Sequence, residues 1–115
     1  MYSLTSFDVE RISVAWEQFH EWRMRHIKHG KVADEQIKNE LNRLKSLVRE
    51  WFDEQKLNEL WEMYDHNGLG ENGPFTEHAF DLMLSDDDFK TSITVGFVMS
   101  TGESVNGLSV GRWCN

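Results

Sequence analysis

The chain has 115 residues, 39% of them hydrophobic and 12% aromatic, with a formal net charge of −8. One hydrophobic core serves a chain of this length, and five tryptophans with seven phenylalanines supply enough apolar surface to exclude global disorder. The single cysteine, Cys114, excludes an internal disulfide, so the fold needs no oxidising compartment.

In chain order, the first expected element is a helix from about Phe7 to about His29. Thr5 or Ser6 can cap it, and Asp8 and Glu10 suit the positive end of its dipole. Ile12, Trp16, Phe19, Arg23 and Ile27 form its apolar stripe, widened by Val9, Ala15 and Trp22, and Gly30 is a credible stop. A second helix begins near Asp34. Ile37, Leu41, Leu44, Val48 and Trp51 follow the seam spacing of packed helices, and the seam breaks at Gln55. Leu57, Leu60, Trp61 and Tyr64 then lie on another face, so either the helix bends or a third one starts near Asp53.

Residues 66–74 (HNGLGENGP) hold three glycines and the only proline and read as a loop. Thr76 is placed to cap a short helix through Glu77, Ala79, Phe80, Met83 and Leu84, which Ser85 and three aspartates end. Beyond it, Ile93, Val95, Phe97 and Met99 alternate with Thr94, Gly96 and Val98, a β-branched pattern of period two. Residues 100–103 (STGE) read as a turn, with a weaker return strand through Leu108, Val110 and Arg112. The expected fold is therefore α+β: one domain over residues 1–115, with three to four helices in 1–89 and a C-terminal β-hairpin in 90–115. An open hairpin edge would offer a site for a neighbouring strand or for a second copy in a homodimer.

Residues 57–84 resemble an EF-hand, the helix–loop–helix that binds calcium through alternate oxygen ligands, a turn glycine and a terminal glutamate. Asp65 and Asn67 match the first two ligand slots and Gly70 the glycine, with Trp61, Tyr64, Phe80 and Met83 on the flanking helices. Leu69 stands where a third oxygen belongs, Asn72 replaces an apolar residue, and Glu77 arrives one position after the twelfth slot, which is Thr76. The resemblance implies a degenerate module with Asp65, Asn67 and Glu77 as ligands or their relics. No cofactor is expected otherwise, and calcium is the one cation this likeness implies.

Charge divides the chain. Met1 to Leu60 carries eleven acids and ten bases, whereas Trp61 to Asn115 carries nine acids against Lys90 and Arg112. The acidic half disfavours direct nucleic-acid binding, since phosphate contacts need Lys and Arg. It suits a partner protein with a basic surface, contacted by Glu59, Glu62, Glu71, Glu77, Asp81, Asp86, Asp87 and Asp88. Trp113 is a further anchor candidate, while Trp16 and Trp51 fall on apolar stripes and read as core. His20, His26 and His29 read as helix-end surface residues, because zinc needs three or four converging ligands. No nucleophile motif or phosphate loop is present, so an enzyme is the least favoured class.

The leading expectation is a small acidic non-enzymatic binding protein, similar in size and charge to inhibitors and anti-defence factors of phages and mobile elements. It would cover a basic, nucleic-acid-binding surface. The alternatives are the EF-hand-like module and a structural subunit of a larger assembly. Residues 1–20 hold no apolar run, and no stretch approaches the ~20 apolar residues of a membrane span, so a cytoplasmic protein is expected.

Overall fold

Thr5 and Asp8 start the first helix by capping each other. The Asp8 N–H donates to Thr5 Oγ1 at 3.2 Å, and the Thr5 N–H donates to Asp8 Oδ2 at 3.1 Å. Two free donors of the opening turn are satisfied by this reciprocal pair. The computed structural model describes residues 2–28, 34–65, 73–103 and 105, the side chains of residues 27 and 28 excepted. Among them are five helices: α1 (Ser6–Lys28), α2 (Asp34–Trp51), α3 (Glu54–Tyr64), α4 (Glu77–Ser85) and α5 (Phe89–Thr101).

The break at Gln55 is a new helix, not a bend. Asp53 takes an extended backbone, and its carboxylate accepts from the Lys56 N–H at 2.9 Å to cap α3. Thr76 does the same for α4, accepting from Ala79 at 3.1 Å. Each cap is worth about 1 kcal/mol.

The hairpin expectation is overturned, and with it the α+β class. Residues 89–101 are helical, and the described residues contain no sheet. The same letters carry both periods. Ile93, Val95, Phe97 and Met99 alternate, but Phe89, Ile93, Gly96 and Phe97 step by four, three and one, which lines one helix face. Burial decides between them. Phe89, Ile93, Phe97 and Val98 are fully buried, whereas Met99 is 52% exposed. An apolar helix covered on most sides loses clean amphipathic spacing, so its β-branched residues pass for strand. Thr94 and Thr101 adapt to the helix by donating their hydroxyls to the carbonyls of Lys90 and Phe97. Gly102, in the left-handed region at φ 76°, ends the helix, so the expected turn is its cap. Residues 104 and 106–115, including the expected return strand and Trp113, lie outside the described residues.

Helix α5 lies at the centre, against α3, α1 and α4, with α2 packed on α1 and α4. Gly96 sets the α3–α5 distance. A Cβ placed there would lie 2.0 Å from the carbonyl oxygen of Met63, so the two backbones meet where only hydrogen fits. One apolar core draws on all five helices, with Ile12, Val48, Leu60, Met63, Phe80, Phe89, Ile93 and Phe97 shielded from solvent. Trp16 is buried as expected, and its indole N–H donates to the Leu84 carbonyl at 2.8 Å. Trp51 is only half-buried. Among the described residues, no helix is long and apolar enough to cross a membrane.

Candidate functional site

The acids of the second half do not form one uniform face. Glu59, from the middle of α3, is 7% exposed and works inside the structure. Its carboxylate accepts from the N–H groups of Ser3 and Leu4 at 2.7 and 2.9 Å, from the Ser3 hydroxyl, and from Gln55. Burial pushes this carboxyl up, yet the bonds from Leu4, Ser3 and Gln55 outweigh burial and hold it below the usual glutamate range. Asp8 behaves alike: burial raises it, but Lys56 at 2.9 Å and Thr5 bring it below the usual aspartate range. These two carboxylates fasten the start of the chain to α3.

A second set of acids is taken up by bases from the first half. Lys45 of α2 lies 2.8 Å from both Glu77 and Asp81 of α4, and Arg49 also pairs with Glu77. Both cations sit over the Phe80 ring. Arg23 of α1 reaches Asp87 at 2.6 Å and donates to the Ser85 carbonyl at the end of α4. His20, stacked on Trp16, stands 3.6 Å from the same Asp87. Glu77, the resemblance's terminal calcium ligand, is thus held by two cations. Asn67 and Glu71 lie outside the described residues; among the described residues, no group of three or more His, Cys, Asp or Glu that could hold a metal is found.

A third set remains. The Tyr64 phenol donates to Asp86 Oδ2, and Asp86 Oδ1 accepts the Asp88 N–H at 2.9 Å. Burial, this hydrogen bond and the charges of Asp86, Asp65 and Asp88 together push the phenol far above the usual tyrosine range. Asp86 alone of these three carboxylates is bonded to Tyr64, with Asp88 joined to it through its N–H and Asp65 next in the chain, and no described Lys or Arg pairs with any of them. Beside Asp86 opens a pocket of about 410 Å³ lined by Trp61, Tyr64, Thr76, His78, Ala79, Leu82 and Asp86 itself. Trp61 and Tyr64 stack at 5.6 Å, and Leu82 is 53% exposed. Glu62 is exposed on α3.

Sequence reasoning picks out Asp86 and Asp88 but misses Tyr64 as the group they gather around, because only the α3–α4–α5 packing brings residue 64 to residue 86. It also misses an apolar groove between α1 and α2. That signal was available: Phe7, Val14 and Leu47 are apolar residues off the helical stripes, and they are 63%, 57% and 37% exposed. No protein-family model matches the chain, and no curated protein or solved structure matches it either.

Proposed function

We propose that this protein is a non-enzymatic binding protein that receives a basic segment of a partner protein at the end formed by α3, α4 and α5. The observation that carries the reading is the Tyr64 site, where Asp86 accepts from the Tyr64 phenol and the Asp88 N–H, and Asp86, Asp88 and the adjoining Asp65 have no described Lys or Arg partner, beside an aromatic pocket that Asp86 lines. A lysine or arginine fits such a place in two ways. Its aliphatic stem lies along Trp61 and Leu82, and its charged head meets the carboxylates. Glu59, Glu77, Asp81 and Asp87 contribute differently, since their charge is already spent on Ser3, Leu4, Lys45, Arg49 and Arg23.

The test is fluorescence anisotropy with a labelled Lys/Arg-rich decapeptide at low and raised salt. Wild type is expected to bind it in a salt-sensitive manner, and the Asp65→Asn, Asp88→Asn double variant about tenfold more weakly. Glu77→Gln serves as control and should bind as wild type does. Equal binding by wild type and the double variant, or no binding at low salt, would overturn the proposal.

A further inference from the structure

Helices α1 and α2 run antiparallel, and their outer side is open. One pocket of about 520 Å³ lies between Phe7, Val14, Leu47 and Trp51, and a second of about 200 Å³ continues it toward Phe19 and Trp22. Ala15, Gln18 and Leu47 line both, so they form one groove. From Phe7 to Trp22 it follows fifteen residues of helix, about 22 Å at 1.5 Å per residue. A length of that order suits a packed helix, and the small Ala15 near its centre permits close approach.

The charges on this groove differ from those of the rest of the molecule. Glu10 and Arg11 stand at one end, Glu40 and Arg43 at the other, and their formal charges cancel. A chain of net charge −8 repels its own copies over most of its surface. Here that repulsion is absent. The order of signs also matters, because a twofold axis across the groove brings the Glu10–Arg11 end of one copy onto the Glu40–Arg43 end of the other. Each arginine then meets a glutamate at both ends. Arg43 is available for this: its side chain is 81% exposed and holds Glu40 only at 3.7 Å along its own helix. Arg11 is held loosely by Asp8 at 3.4 Å, its guanidinium lying 4.5 Å from the Trp51 ring and 5.1 Å from that of Phe7.

We infer that the α1–α2 groove is the interface for a second copy of this chain, giving a twofold, four-helix contact in which Phe7, Val14 and Leu47 are buried. Such a contact is isologous, so every pair occurs twice. A purely acidic or purely basic partner is not selected by a neutral groove of alternating sign, whereas a second copy is.

Sedimentation equilibrium from about 5 to 500 µM tests this by mass action. The mass of wild type should rise with concentration from 13.5 kDa toward twice that value. Leu47→Glu and Val14→Glu should stay monomeric throughout, with an unchanged helical circular dichroism signal. Arg43→Glu should also dissociate the dimer, and adding Glu10→Arg to it should restore association. Should an apolar-site variant lose its fold, Arg43→Glu decides alone, since that side chain is 81% exposed. A wild-type protein that remains at 13.5 kDa across the range overturns the inference. So does a dimer unaffected by Arg43→Glu and Leu47→Glu.

Discussion

The α3–α5 contact and the α1–α2 contact are both helix pairs, yet one is closed and the other open. Between α3 and α5, Gly96 lets the backbone approach the Met63 carbonyl, and the neighbouring Ile93, Phe97 and Met63 are fully buried. Between α1 and α2, Phe19, Leu44 and Val48 fill the inner side, but Phe7, Val14 and Leu47 stay outside it. The difference lies in side-chain size at the contact. A glycine removes the spacer and leaves no room for a ligand, whereas a large aromatic such as Trp51 and a long arginine hold surfaces apart. Stability should therefore depend on the first contact and pairing with a second copy on the other.

The largest expected effect breaks the closed contact. Gly96→Ala places a methyl carbon 2.0 Å from a carbonyl oxygen that belongs to the backbone and cannot swing away. Alanine is the better helix former, but overpacking of this kind costs about 3 kcal/mol, which exceeds the propensity gain of about 1 kcal/mol. Urea unfolding should show a net loss of about 2 kcal/mol or more. Unchanged stability would mean that α3 and α5 separate easily, and the contrast with α1–α2 would vanish.

An intermediate effect is expected at Glu59, which ties the residues leading into α1 to α3. Glu59→Gln removes the charge that Ser3, Leu4 and Gln55 donate to, and should cost about 2 kcal/mol at neutral pH. The pH dependence has a defined sign. Glu59 and Asp8 both titrate below their usual values in the folded chain, so they stabilise it above the unfolded values near about pH 4. That contribution disappears as the pH falls through the folded values. Thermal unfolding followed from pH 6 down to about pH 2 should therefore show a steep loss in wild type and a shallower one in Glu59→Gln. Parallel curves would remove Glu59 from this role.

The smallest effect sharpens the comparison. Leu47→Ala, on the open groove, should change the stability of dilute protein by less than about 1 kcal/mol, because much of that side chain is already in water. A loss as large as that of Gly96→Ala would show the groove to be core, not surface.

Much of the helical architecture was legible in the residues. Thr5, Asp53 and Thr76 are oxygen-bearing residues ahead of apolar helical runs, and each caps where its position suggests. The stripe through Ile12, Trp16 and Phe19 is buried, as period 3.6 requires. Residues 89–101 misled because a helix surrounded on most sides has no polar face to mark its period. Glu59 misled for a related reason: a carboxylate reads as exposed until a chain start with unpaired N–H groups is folded against it.

By itself, then, the sequence determined where α1, α2 and α4 begin, the stripe of α1 that turns inward, and that the second half carries the excess of negative charge. These are local properties, set by capping chemistry and by the spacing of apolar side chains within one element. Only the tertiary structure decided that α5 is a helix, that Lys45 and Arg49 pair with the acids of α4 and Arg23 with Asp87, and that Asp86 meets Tyr64. Those outcomes depend on contacts between residues far apart in the chain. Whether a carboxylate ends in a hydrogen bond, an ion pair or open water is set by the neighbour that packing brings to it.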